Sequence, residues 1–481
     1  MHLTLLHTND LHGHVEELAH LATMARRLRA EVEAAGGHCL LVDLGDAEER
    51  TVLEMAVTQG AAAMAYLRVA GYDLGTIGNG APLSFGPQVI PGMAAAAGFP
   101  FMAANLLDQD GRLVPGCTPS LVREVGGVRV GFIGMAPRWE FWTWFGLQNP
   151  EPAPIVRAEM ERLQAAGATV IVLLSHLGLA EDLRLLTSVR DIDLILGGHS
   201  HTTIYGGVLQ GETLIAQAGD YGRFLGRVDL EIDDETGRVS GKRATLVPLD
   251  PSTEPNPAVL AEVEHQRQMV AARLQEPVGQ LTADLPFDAI AESPASNLLA
   301  DALRLRTGAD VALVQPTHLL GGLEAGTVTL GQLYQACRSP GNPAWRTLSG
   351  AQLLALVEAG LDPQRAERAT PWGRSRPNGT VAVSGFSARY DRAAPAGQRL
   401  SQAMVAGQPL QPECSYLVAG SDAEMTGLAW RDERQQSQLG FELADDDVTY
   451  EVPATLREVL EEHIRTHSPL APPPVGRIRP A

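Results

Sequence analysis

Thiols are scarce in this chain. Its four cysteines, Cys39, Cys117, Cys337 and Cys414, lie far apart and form no Cys-x-x-Cys pair. Neither a thiolate metal site nor a disulfide framework is indicated, and four reduced, mostly buried thiols are expected. Long apolar runs are also missing. No stretch of roughly 18 apolar residues exists, so no transmembrane helix and no membrane partner are expected. No basic segment, apolar stretch and cleavage site precede the first strand-like run, so a cytoplasmic location is expected. Positive charge is in deficit: 37 Lys and Arg face 57 Asp and Glu, a formal net charge of −20. DNA or RNA is therefore an unfavourable partner. An anionic small substrate would need local positive charge, which a bound metal can supply.

What is present is enough apolar material for sizeable cores. Of 481 residues 45% are hydrophobic, and the length suggests two domains. Strand-like runs alternate with helix-like ones through the first half. Leu3 to Leu6 reads as a buried strand, Val15 to Ala35 as a helix ended by Gly36-Gly37, and Cys39 to Leu44 as a second strand. Thr51 to Ala70 reads as one helix. Strands follow at Leu74 to Ile77, Val128 to Met135, Thr169 to Leu174 and Leu194 to Leu196, and over 213–218, 224–232 and 242–248, with a shorter unit around Phe101 to Asn105. Helices fall at Ile155 to Ala166 and Glu181 to Val189. This alternation argues an α/β domain over 1–250. The proline- and acid-containing stretch PLDPSTEPNP opens a linker, 251–276, with a polar helix from Ala258 to Leu274. A second, smaller α/β domain is expected over 277–481, with helices at Ser296 to Thr307, Leu330 to Ala336 and Ser349 to Gly360. Its strands are expected at Val311 to Val314, Thr380 to Val383, Ser387 to Tyr390 and Ser415 to Ala419, and residues 468–480 read as a proline-rich tail.

Polar residues cluster just past the carboxyl ends of the first-half strands, where open α/β sheets place their ligands. In chain order they are Asp10, His12, Asp46, Asn79, His176, His199 and His201. Asp10 and His12, two apart in extended chain, would leave one face together. Each residue alone has a bland reading: Asp46 as a helix N-cap, Asn79 as a turn residue, His176 as a satisfied core histidine. Together they are two carboxylates, one amide and four imidazoles, with no sulfur. Such a set suits Zn, Mn, Fe or Co. Seven donors are too many for one tetrahedral ion and suit two divalent ions roughly 3.5–4 Å apart, which can activate a water and hold both oxygens of a displacement at phosphorus. His14 is expected beside the site, outside the ligand shell.

The wording HTNDLHGH, LVDLGD, GTIGN, VLLSHLG and LGGHSHT, in this order, resembles the 5′-nucleotidase branch of the calcineurin-like metallophosphoesterases. AQAGDYGRFLG and ESPASNLLADALR resemble stretches that flank the metal domain and open the second domain of that branch. The resemblance implies a metallophosphoesterase sandwich of β-sheets flanked by helices, followed by a smaller α/β 5′-nucleotidase-type C-terminal substrate domain. It implies one ion on Asp10, His12, Asp46 and His201 and another on Asp46, Asn79, His176 and His199, with Asp46 bridging. It also implies hydrolysis of a small phosphorylated substrate, a nucleotide among the candidates.

Two places depart from that family. Its Gly-Asn continues with a histidine, and an aspartate three residues later positions it to assist phosphoryl transfer; here the two positions hold Gly80 and Leu83. Such proton-transfer help is worth ~10²–10⁴-fold in rate. In the second domain the phosphate-gripping arginine turn reads Pro316-Thr317-His318-Leu319-Leu320-Gly321-Gly322, without arginine. In the later Gly-Asp segment Asp422 survives and the aromatic does not. Phe386, Tyr390 and Trp372 are available for stacking, although core packing is favoured. Arg338, Arg346 and Arg389 are available for an anion, although solvated surface places are favoured. Catalytic residues stay unassigned. The expected function is metal-dependent phosphoester hydrolysis, weakened or with an altered substrate. The alternative is a catalytically silent member that binds metal and a ligand or partner, and a weaker third reading makes the ligands coincidental.

Overall fold

The apolar run Leu3 to Leu6 lies inside β1 (His2–Thr8), whose side chains alternate between two cores. Leu3 and Leu5 face one core, Leu6 the other. A computed structural model describes the chain from Met1 to Ala481 except residues 140, 340, 369–376, 392, 432–436, 438 and 444–446. Beside β1 run β2 (His38–Asp43), β3 (Leu74–Thr76) and β4 (Phe101–Met102), all parallel. A second sheet follows: β5 (Ser120–Val125), β6 (Val128–Met135), β7 (Val170–Ser175), β8 (Leu194–Gly197), β9 (Val208–Gln210) and β10 (Thr213–Ala216). Its strand order is β5-β6-β7-β8-β10-β9. The chain then returns with β11 (Phe224–Ile232), antiparallel to β1 on its open side, and β12 (Val239–Pro248), antiparallel to β11, which complete the first sheet.

Three apolar layers hold this unit together. Leu3, Leu5, Leu40 and Val42 of the first sheet meet Val130, Phe132, Val170, Val172 and Leu194 of the second in a shared core. The outer face of the first sheet is covered by helices Val15–Ala34, Ala61–Ala70 and Ile90–Ala97, and that of the second by Pro152–Ala165 and Leu179–Leu185. The architecture is helix, sheet, sheet, helix, with the central strands of both sheets buried on both faces, which is why those strands read as apolar runs.

Residue contacts divide the chain into units Met1–Val270 and Ala271–Ala481. Helix Pro257–Leu274 carries Val259 and Val263 into the first unit's core. The second unit has a five-stranded sheet in the order Ala382–Ser384, Val311–Val314, Ser415–Ser421, Pro343–Ser349, Thr449–Tyr450. It also has a four-stranded sheet and a two-stranded pair.

Three sequence expectations change. Thr51 to Ala70 is two helices, Leu53–Val57 and Ala61–Ala70, because Gln59 and Gly60 take positive φ (53° and 89°) and stop the first. Ser120–Val125 is a strand that the alternation did not indicate; it pairs antiparallel with β6. Residues 468–480 are no free tail. Leu470 pairs with Leu281, and Ile478–Pro480 adds a parallel strand beside Phe386–Tyr390.

Candidate metal centre

The register of the sheets brings the strand ends level. Thr8 pairs with Asp43, Asp43 with Gly75, and Ser175 with both Met135 and Gly197. The loops that follow carry Asp10 and His12 after β1, Asp46 after β2, Asn79 after β3, His176 after β7, and His199 and His201 after β8. The site is thus built on two stacked sheets, three loops from one and two from the other, rather than on a single sheet edge. Neighbouring loops are laced together: the Asp10 N–H donates to Gly45 O (3.0 Å), His12 N–H to Asp46 O (2.9 Å) and Tyr221 N–H to Asp10 O (2.9 Å).

The expectation that Asp10 and His12 converge in extended chain is incorrect. Their φ angles are 52° and 44°; Asp46 (54°), His199 (73°) and His201 (52°) are also left-handed. Five of the seven candidate ligands therefore hold a conformation that costs a non-glycine residue of order 1–3 kcal/mol and is kept where the surroundings enforce it. Gly78 answers a different demand. A Cβ there would lie 1.9 Å from Asp46 Oδ1, so only glycine lets the β3 loop close on that carboxylate.

Two three-residue groups converge, Asp10 with His12 and His201, and Asp10 with Asp46 and His176. Asp10 Oδ1 lies 3.3 Å from His201 Nε2 and 3.8 Å from both His12 Nε2 and His176 Nε2. The His12 and His201 Nε2 atoms are 3.2 Å apart, and Asp46 Oδ2 is 3.3 Å from His176 Nε2. Asp10 is common to both groups, in the place that the resemblance gives to Asp46. His199 joins through its N–H, which donates to Asp10 Oδ2 (2.9 Å), and its ring sits 5.2 Å from that of His176. Asn79 is half-buried, and its buried Oδ1 has no hydrogen-bond partner among the described residues. His14 lies outside both groups: its ring stacks on Tyr221 at 4.7 Å and Nδ1 faces Glu17 at 3.4 Å.

Outer contacts aim the ligands. Leu44 O accepts from His176 Nδ1 at 2.5 Å; a carbonyl only accepts, so Nδ1 carries the hydrogen and the neutral ring keeps the Nε2 lone pair, beside the carboxylates, free for a cation. Asp220 Oδ2 stands 3.3 Å from His201 Nδ1 and sets that ring in the same way. Asn9 Nδ2 donates to Asp10 Oδ2 (2.8 Å) and to Gly219 O (2.5 Å). Sequence reasoning missed Asn9 and Asp220, although both sit inside the motif stretches.

The electrostatics favour a cation. Burial opposes ionisation of Asp46, yet the adjoining His176 holds its carboxyl well below the usual range. Burial alone would lower His176, but Asp46 and then Asp10 raise it, a measure of how strongly the carboxylates draw positive charge to Nε2. Asp10 Oδ1, Asn79 Oδ1 and His176 Nε2 are buried donor atoms with no hydrogen bond among the described residues. Buried polar atoms are ordinarily paired, so these three and the oxygen–imidazole donor set fit divalent ions.

At the departure from the family pattern, Gly80 N–H donates to Asp46 Oδ1 (2.7 Å) and Ala81 N–H to Glu48 Oε1 (2.6 Å). Glu48, also missed from sequence, is buried, and burial followed by the Asp46 charge pushes its carboxyl up to about 7. A Cβ at position 80 would lie 3.1 Å from both Asp46 Oδ1 and Glu48 Oε1. Leu83 packs, half-buried, against the helix-side core.

In the second unit the candidate stacking and anion residues are mostly structural. Phe386 is buried, and Tyr390 donates its hydroxyl to Leu361 O (3.1 Å). Trp372 lies outside the described residues. Arg346, expected in solvent, is buried and donates to Met425 O (2.9 Å); Arg338 donates to Tyr334 O and Arg389 to Gln402 and Pro480 O. His318 is buried between Ser339 Oγ (2.7 Å) and Glu424 Oε1 (3.1 Å), where the family's arginine turn would stand.

Residues 273–428 match the model of the 5′-nucleotidase C-terminal domain family. Over 424 residues the chain is 26% identical to an uncharacterized metallophosphoesterase, YunD, of Bacillus subtilis, covering 87% of this chain and 92% of that one. It is 27% identical over 414 residues to the trifunctional nucleotide phosphoesterase YfkN of the same organism, covering 75% of this chain but only 27% of that longer one. Among solved structures, the 5′-nucleotidase precursor of Thermus thermophilus shares the fold at a TM-score of 0.55 and 22% identity, over 100% of this chain and 99% of that one. The NAD nucleotidase of Haemophilus influenzae does so at 0.67 and 16%, with the same coverage.

Proposed function

Since the chain belongs to the two-domain 5′-nucleotidase family of calcineurin-like metallophosphoesterases, we propose that it is a metal-dependent hydrolase of small phosphoesters, working with two divalent ions. The observation that carries this is that Asp10 Oδ1 and His176 Nε2, buried and without hydrogen bonds among the described residues, face each other at 3.8 Å in a group that Asp46 completes. Asp10, His12 and His201 would hold one ion; Asp46, Asn79, His176 and His199 would hold the other. Asp10, shared by both three-residue groups, and Asp46, to which the resemblance gives the bridge, are the two candidates for the common carboxylate. Ions so held supply Lewis-acid charge to a phosphoryl oxygen and make a bound water acidic.

The chain's own residues orient and select. Leu44 O and Asp220 fix the imidazole tautomers, and Asn9 fixes the Asp10 carboxylate. Position 80 offers only a backbone N–H, already donated to Asp46. No side chain at 80 or 83 can hand a proton to a leaving oxygen, so esters whose leaving group departs as a stable anion are favoured. Assistance of ~10²–10⁴-fold is forgone for the rest.

The test is a panel of phosphomonoesters, phosphodiesters and nucleotides, assayed with purified protein supplied with Mn²⁺ or Zn²⁺. Turnover of aryl phosphoesters above alkyl ones is expected; no turnover on any member would overturn the proposal. Gly80 and Leu83 favour a second reading, a silent member that binds without hydrolysis. The triple substitution Glu48→Ala, Gly80→His, Leu83→Asp frees the crowded space and restores the dyad. A gain of roughly 10²-fold over a slow parent fits a weakened enzyme; a parent already fast eliminates the silent reading.

A further inference from the structure

The loop after β6 carries Arg138 and Trp139, leads into the short helix Phe141–Trp144, and starts level with the His176 loop, because Met135 pairs with Ser175. Phe141 and Trp142 are buried, and Trp142 Nε1 donates back to Pro137 O at 2.9 Å, so the loop is anchored. Trp139 is not buried with them. It stays 47% exposed, with its ring 5.2 Å from Phe141 at 89° and 6.0 Å from His199 at 61°. Both ring contacts are T-shaped; among the described residues none stacks on it. A tryptophan gains more than most side chains from burial, and this one is held half in solvent against a candidate ligand. Tyr221, across the imidazoles, differs: His14 stacks on it and it edges His12 and His201, so it is committed to packing them.

We propose that Trp139 is the platform for a planar aromatic leaving group, which makes aryl phosphoesters, or others whose leaving group presents a flat ring, the preferred substrate class. This rests on the phosphoesterase reading above and agrees with the missing proton donor at position 80, since a phenolate-like oxygen leaves without one. It places recognition of the leaving group in the first unit.

Phosphonates test it without turnover, because their C–P bond survives hydrolysis. Calorimetric binding of phenylphosphonate and methylphosphonate to the Mn²⁺-supplied full chain gives an affinity ratio. Stacking on an aromatic side chain predicts a ratio of roughly tenfold in favour of phenyl. Trp139→Ala should bring it to within about twofold, and Trp139→Phe should keep most of it. A parent ratio near one, or a ratio that persists in Trp139→Ala, overturns the proposal; so does binding of neither phosphonate. If Trp139 only orients His199, both affinities fall together and the ratio stays, which also overturns it. Failure here with the hydrolysis panel positive removes the platform alone; a negative panel with the ratio intact removes hydrolysis alone.

Discussion

His7 lies on β1, two residues before the metal-site loop begins, fully buried, with neither ring nitrogen hydrogen-bonded among the described residues. Burial lowers its pKa to about 4 from an ordinary 6.5. Between those values the unfolded chain takes up a proton at this site and the folded chain does not. Stability contributed by the neutral ring is therefore complete above pH 6.5 and is lost as pH falls towards 4, by up to about 3 kcal/mol. Denaturant unfolding of the chelated protein at about pH 7 and about pH 4.5 should show a smaller acid loss in His7→Leu than in the parent; parallel losses would contradict the assignment. Single residues were the most legible scale for the candidate site, since its seven residues stand out by type and by place after an apolar run, and five of them fall in the two converging groups. What stayed hidden was backbone sign and company. The left-handed turns at Asp10 and His12 have no local signature, and Glu48 reads as an ordinary acid until the β3 loop is folded onto it.

Among elements, continuous apolar strands were read well because those strands are buried almost throughout, and a helix between clear caps was read as well. Val128–Met135, Leu330–Ala336 and Val311–Val314 have the bounds the pattern suggests. Errors arose where tertiary contacts decide. The end of the chain is an example: proline suggested a loose tail, yet Arg477 forks onto Asp301 with contacts of 2.8 and 2.6 Å and also donates to Val383 O at 2.5 Å. Glu292 accepts from the Gly476 and Arg477 N–H groups, and the next residues become an edge strand. Arg477→Ala removes a charge-assisted fork and leaves Asp301 with the Ser384 hydroxyl as its remaining partner, so it should lower unfolding stability by about 1–3 kcal/mol. Thermal unfolding of the full chain would show it, and an unchanged midpoint would mean that the terminal strand is held by its backbone ladder alone.

At the scale of the whole molecule, convergence was the least visible property. The residue pair Asp10 and His199 is separated by 189 positions, and the loops that carry them end strands of different sheets. Periodicity reports strands one at a time; it does not say that two sheets will stack with their carboxyl edges aligned. The net charge of −20 agrees with a site that concentrates carboxylates and needs cations to approach a phosphate. Among the described residues no helix is long and apolar enough to cross a membrane.

The central claim is that these loops make one centre for two ions, and counting ions tests it most directly. Purified protein exchanged into Mn²⁺ or Zn²⁺, freed of excess metal and analysed by plasma mass spectrometry should hold about two ions per chain. His12→Ala and His176→Gln should each hold about one. A parent that retains none, or two ions undiminished by both substitutions, would contradict the account.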